Sequence, residues 1–73
     1  MPLAQIKGLG GYLTIEQKQE LIRKITDAIV SVEGEGLRPV TWVLIEDVNP
    51  GEWGVGGEPV SLSLLKEMAL QAQ

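Results

Sequence analysis

Thr14-Ile15-Glu16-Gln17-Lys18-Gln19-Glu20-Leu21-Ile22-Arg23-Lys24-Ile25-Thr26-Asp27-Ala28-Ile29-Val30-Ser31-Val32 is the stretch that decides the fold. Thr14 is a good N-cap, and Gln17 stands three residues on, the spacing of a capping box. Leu21, Ile25, Ala28, Ile29 and Val32 recur three and four apart, and Ile22 widens the stripe. Glu16, Lys18, Glu20, Arg23, Lys24 and Asp27 fall mostly on the opposite face, a solvated one, with Glu20 and Lys24 paired one turn apart. The stretch predicts one amphipathic helix over 15–32, stopped by Gly34 and Gly36.

Upstream, residues 2–7 (Pro-Leu-Ala-Gln-Ile-Lys) alternate loosely and read as a strand. Proline suits only the first position of a strand, because it has no N–H to donate. Gly8, Gly10 and Gly11 then break the chain. Downstream, Val40 to Val48 is β-branched and aromatic, a strong strand. Asn49-Pro50-Gly51 signals a turn, and Trp53 to Gly57 a short hairpin or bulged strand. Pro59 can open a last helix, with Leu62, Leu65, Met68, Ala69 and Ala72 roughly on one side.

Strand, helix and strand make a βαβ unit, with parallel strands and a right-handed crossover. The fold class is α/β (α+β): a small βαβ subunit with a C-terminal hairpin and a short helix, forming a single domain over 1–73. One helix covers one face of a two-stranded sheet, so the other face needs a partner. A chain of 73 residues buries only about 60% of its unfolded surface, which leaves a monomer marginal. No Cys and no His are present. Disulfides, zinc clusters, thiolate nucleophiles and imidazole catalysis are excluded by counting, and no metal site is expected. Oligomerisation is the staple left.

The net charge of −4 opposes binding to phosphate backbones, so no nucleic acid is expected as partner. No apolar run approaches a membrane span, and the amino terminus lacks a basic flank with an apolar signal core. A cytoplasmic location and no membrane partner are the expectation. Glu46 and Asp47 point to opposite faces of a strand and are no acid–base dyad. Glu33 and Glu35 are solvated loop residues. Ser61 and Ser63 read as helix-capping hydroxyls, with no histidine to activate them. The glycines at 54, 56 and 57 lack the strand–glycine–helix context of a phosphate cradle.

Position 2 is the exception. Aminopeptidases generally remove Met before a small second residue, and removal here would leave Pro2 as a free secondary amine. Desolvation lowers the pKa of an amine, because the charged form loses water. Such an amine can be neutral near pH 7 and act as a general base or a nucleophile.

Met1-Pro2-Leu3-Ala4-Gln5-Ile6, Glu16-Gln17-Lys18 leading into Leu21-Ile22-Arg23, and Trp53-Gly54-Val55-Gly56-Gly57-Glu58 together resemble the 4-oxalocrotonate tautomerase family. The resemblance covers residues 1–58, and 59–73 form a C-terminal extension. It implies a βαβ subunit, dimers with a four-stranded sheet, and a homohexamer built as a trimer of dimers. It also implies that the Pro2 amine shuttles a proton between carbons of a 2-keto acid or its enol, with a small-molecule substrate and no cofactor.

The departures from the family bear on substrate. Such tautomerases usually carry an arginine shortly after the first glycine turn, where this chain has Tyr12-Leu13. A second arginine usually sits in the second strand, where this chain has Trp42. Those arginines bind carboxylates and stabilise a developing dienolate. Trp53 falls where the family places an aromatic wall beside the proline. Arg38 could reach a pocket and replace a lost arginine, or be salt-bridged in its loop. Tyr12 could donate to an enolate or simply pack, and Trp42 suits an interface or core. The substrate-binding candidates are thus Trp53, Trp42, Tyr12 and Arg38, and the catalytic one is Pro2. The function expected is an isomerase on a small keto/enol acid or carbonyl compound. The alternatives are a non-catalytic oligomeric ligand binder or scaffold, and a hydratase- or dehalogenase-type lyase using the same amine.

Overall fold

Thr14 starts the long helix through both bonds of the capping box. Its Oγ1 accepts from the Gln17 N–H at 3.1 Å, and the Gln17 Oε1 accepts from the Thr14 N–H at 2.9 Å. In this computed structural model, which describes residues 1–71, the helix α1 runs Ile15–Glu33. Before it lies β1 (Leu3–Leu9). After it come a 3-10 helix (Glu35–Val40) and β2 (Trp42–Val48). Then follow the two-residue strands β3 (Gly54–Val55) and β4 (Glu58–Pro59), and α2 (Leu62–Gln71). The chain divides into two compact units: Met1–Ile6 with Leu13–Glu46, and Lys7–Tyr12 with the residues from Asp47 onward.

In the first unit the Trp42 N–H donates to the Pro2 carbonyl at 3.0 Å, and in the second the Gly10 N–H donates to the Val48 carbonyl at 2.7 Å. Low numbers pair with low and high with high, so β1 and β2 run parallel, as the βαβ reading requires. Burial alternates along both strands. Ala4, Ile6, Val43 and Ile45 are half-buried on one face, while Leu3, Gln5, Lys7, Trp42, Leu44 and Glu46 are exposed on the other. Within the first unit α1 is the one long element available to cover the shielded face.

The covered stripe of α1 is rotated from the expected one. Lys18, Leu21, Ile22, Ile25, Thr26 and Ile29 are half-buried and Val30 is buried. Ala28 is exposed and Val32 is 86% exposed. Thr26 can turn inward because its hydroxyl donates to the Ile22 carbonyl at 2.8 Å, which satisfies its polar group. Turning the stripe toward Ile22, Thr26 and Val30 drops Ala28 and Val32 off the other edge.

Two strand boundaries also move. β1 runs on through Gly8, whose φ is not positive, and the break falls at Gly11 (φ 89°). β2 begins at Trp42 rather than Val40, because Glu35–Val40 coils first. The Thr41 hydroxyl closes that coil on the Leu37 carbonyl at 2.8 Å.

The second unit holds the hairpin, with Gly54 opposite Pro59 and Val55 opposite Glu58. Gly56 (φ 62°) and Gly57 (φ 87°) supply the two left-handed positions that a type I′ turn needs. Pro59 does not open the last helix as expected. It closes the hairpin, and Ser61 caps α2, its Oγ accepting from the Leu64 N–H at 3.2 Å. Ser61 thus has the capping role expected of it. Leu62, Leu65 and Ala69 are half-buried as the spacing predicts, whereas Met68 is exposed; Ala72 lies outside the described residues.

Among the described residues only Leu9 and Val30 are buried apolar side chains. The Glu20–Lys24 pair forms at 3.7 Å between exposed groups, so it contributes a few tenths of a kcal/mol at most. The cap matters more. Thr14→Ala removes the side-chain acceptor and is expected to cost about 1 kcal/mol. Chemical denaturation at fixed protein concentration measures it, and Thr14→Ser should retain most of the stability.

Candidate active site

Pro2 is fixed by the backbone. Its carbonyl accepts the first ladder bond from Trp42, which places the start of β1 beside the start of β2, and the residue is half-buried. Trp42 itself is 55% exposed and shares its face with Leu3 and Leu44. That face is apolar toward the start of both strands and carries no cation there. Lys7 stands further along β1.

Arg38 is engaged. Its Nη1 donates to the Asp27 Oδ1 at 2.8 Å, and its Nε and Nη2 donate to the two carboxylate oxygens of Glu35. A guanidinium held bidentately on one carboxylate and singly on a second has its fork filled. The hydrogen bond to Glu35 leads, and that to Asp27 follows, in raising the Arg38 pKa above its ordinary value. The hydrogen bond from Arg38 holds the Glu35 carboxyl below its usual range. This is the salt-bridged loop arginine of the two roles the sequence left open.

Tyr12 and Trp53 belong to the second unit. Tyr12 is half-buried, and its N–H donates to the Leu9 carbonyl at 3.3 Å. The turn before it is tight: a Cβ on Gly11 would stand 3.1 Å from Leu62 Cδ1, so the start of α2 rests directly on the glycine turn. Tyr12 lines a surface cleft of about 360 Å³ with Lys66, Ala69 and Leu70. Sequence reasoning missed Lys66, because no function was assigned beyond Glu58. The available signal was a lone charge between Leu62, Ser63, Ala69 and Leu70, its neighbours one helical turn away. Trp53 is half-buried, and its carbonyl accepts the Val60 N–H at 2.8 Å, so the hairpin pins its backbone.

The structure thus joins Pro2 to Trp42 and ties Arg38 to α1. It places Tyr12 and Trp53 in the unit that contains the hairpin and α2. Among the described residues no group of three or more carboxylates could hold a metal ion. No helix among them is long and apolar enough to cross a membrane.

A family model described as tautomerase enzyme matches residues 2–63. A probable tautomerase K2 of Dickeya dadantii is 36% identical over 61 residues, 84% of this chain and 90% of that protein. A 2-hydroxymuconate tautomerase of a Pseudomonas species is 39% identical over 61 residues, 84% of this chain and 94% of that one. Among solved structures, a 4-oxalocrotonate tautomerase isozyme from Methylibium petroleiphilum superposes with a TM-score of 0.71 at 39% identity, over 88% of this chain and 97% of its own. The chain belongs to the tautomerase family, in its 4-oxalocrotonate tautomerase branch. Tautomerase-type isomerase activity follows from that membership.

The Arg38 cluster predicts a pH dependence. A carboxyl whose folded pKa is depressed stabilises above its unfolded pKa, near 4.5 for Glu35, and loses that contribution as pH falls through the lower folded value. Arg38→Gln is therefore expected to lower the melting temperature modestly at pH 7. The gap between variant and parent should narrow as pH drops below about 4.5. A gap independent of pH would show that Arg38 acts by packing alone.

Proposed function

We propose that the chain, once freed of Met1, is an isomerase that uses the Pro2 amine as general base. The substrate is a small keto or enol acid or a relatively apolar carbonyl compound. The amine takes the enol proton, the charge spreads over the conjugated system as a dienolate, and the resulting prolyl ammonium returns the proton to carbon. The observation that carries this reading is the position of Pro2 at the first rung of the sheet, half-buried beside Trp42, in a chain of the tautomerase family. No His or Cys competes for the role. Retained Met1 acylates that nitrogen as an amide, which is neither basic nor nucleophilic.

In this reading Trp42 is an apolar wall, Trp53 takes the aromatic-wall role that the family resemblance implies, and the Tyr12 hydroxyl is an enolate donor. Arg38 could contribute to a substrate only by leaving Glu35 and Asp27. The working form is a cytoplasmic homohexamer, a trimer of dimers. The exposed Leu3, Trp42 and Leu44 support association, since two buried apolar side chains among the described residues make little core. A non-catalytic ligand binder is the second reading, favoured by the neutral residues at Tyr12, Leu13 and Trp42.

Two preparations test the proposal, one with Met1 removed and one with an uncleavable residue before Pro2. The free chain is expected to turn over an accepted enol acid, with activity falling at low pH as the amine protonates and loses its lone pair. The blocked chain should be at least about a hundredfold slower. Equal rates would remove Pro2 from the mechanism, and a free chain inactive on every enol acid tried would favour the binder.

The relative named for 2-hydroxymuconate sets a second comparison. Each charge-assisted contact missing at a developing oxyanion costs about a hundredfold or more in rate. This chain is therefore expected to be weak on such dicarboxylates, and Trp42→Arg should raise that activity by about tenfold. Efficient wild-type turnover of 2-hydroxymuconate would refute the argument from the missing arginines.

A further inference from the structure

The cleft beside Tyr12 adds to the hydroxyl that the tautomerase reading uses three side chains that it does not use, Lys66, Ala69 and Leu70. Its lining is one phenol, one ammonium and two apolar side chains: Tyr12, Lys66, Ala69 and Leu70. It is an open cleft, with Lys66 and Leu70 exposed at its rim and Tyr12 and Ala69 half-buried. Most of α2 falls after residue 63, where the family match ends. At the start of the helix Leu62 lies against the glycine turn that precedes Tyr12, and Ser61 caps the first turn.

Charge is the second strand of the argument. Among the described residues no carboxylate pairs with Lys66, and no hydrogen bond uses the Tyr12 hydroxyl. The neighbours of Lys66 one turn away on α2 are Leu62, Ser63, Ala69 and Leu70, all uncharged. Glu67 adjoins it in sequence but lies about 100° around the helix. In a chain with ten acidic and six basic residues, an ammonium left without a carboxylate and set in a cleft beside a hydroxyl donor is matched to an anion from outside.

We propose that Tyr12 and Lys66 form a binding site for the carboxylate of a small organic acid, with Ala69 and Leu70 against its apolar part. The ammonium donates a charge-assisted hydrogen bond to one carboxylate oxygen, and the phenol donates to the anion as well. The site selects a monoanion with a hydrocarbon body over a neutral compound of the same shape. It stands whether or not Pro2 is the base.

The test is read on the chain that retains Met1, in which the Pro2 mechanism predicts no turnover, so the two proposals fail separately. Phenylacetate is titrated and followed by amide NMR shifts, with phenylacetamide as the uncharged isostere. Phenylacetate is expected to shift Tyr12, Lys66, Ala69 and Leu70 in one saturable process, and phenylacetamide to bind at least about tenfold more weakly. Lys66→Met should weaken phenylacetate binding by about tenfold or more, and Lys66→Arg should restore most of it. Tyr12→Phe should weaken it several-fold. Lys66 is exposed, and an unchanged thermal melt confirms that its variants fold. Equal binding of acid and amide, shifts centred elsewhere, or a Lys66→Met chain that binds as well as the parent would each overturn the proposal.

Discussion

Two strands that run in the same direction cannot be joined by a tight turn. The parallel pairing of β1 with β2 forces the chain to travel the length of a helix between them, and the remaining features follow from that requirement. A helix long enough to make the return needs a defined start, which Thr14 and Gln17 provide. It needs a defined stop, which Gly34 provides at φ 123°. The same pairing brings the amino-terminal end of β1 against the start of β2, so that Pro2 and Trp42 share the first rung. The position of the candidate amine is a consequence of sheet register and does not depend on any specialised loop.

The cost of so small a unit is a shortage of covered apolar surface. One helix shields one face of a two-stranded sheet. The other face keeps Leu3, Trp42 and Leu44 in solvent, and α2 adds Leu64, Met68 and Leu70. Burying such side chains contributes roughly 1.5–3 kcal/mol each, against a typical net stability of about 5–15 kcal/mol for a whole domain. Association of subunits is therefore the largest reserve of stability open to this chain, and Trp42 is the largest side chain on the exposed sheet face.

The fold was legible because its signals are local. The capping box, the existence of the long helix and the hairpin signalled over 53–57 each act within a few residues, and each formed. The errors came where a tertiary choice overrode a local one. Thr26 entered the covered stripe because its hydroxyl was satisfied by the preceding turn, and no hydropathy pattern anticipates that. Val40 was read as strand and became part of a 3-10 helix, since β propensity says nothing about the Thr41–Leu37 closure. Pro59 fits either a helix start or the end of a short edge strand. Ser61 decided between them by offering a better cap two residues on. The candidate site was less legible. Pro2 stood out by its terminal amine and Trp53 entered through a family resemblance, while the Tyr12–Lys66 cleft depends on the contact of α2 with the Gly11 turn, which no spacing announces.

The distribution of positive charge sets which groups of this chain are available to an anion. An arginine recognises a carboxylate only when its fork is vacant. Arg38 gives its fork to Glu35 and Asp27, an arrangement that fastens the 3-10 helix to α1 and fixes the approach of the chain to β2. Where the family resemblance leads one to expect arginines, after the first turn and in β2, the chain has Tyr12-Leu13 and Trp42, which offer a hydroxyl and apolar surface. Beside Pro2 the first unit offers Trp42 and no cation on the exposed face, and a carboxylate buried without a partner is costly. Lys66 is the cation that the fold sets in a cleft with a free hydroxyl donor. It stands on α2, most of which lies outside the family match. A cation on that helix can be changed without touching a residue of β1 or β2.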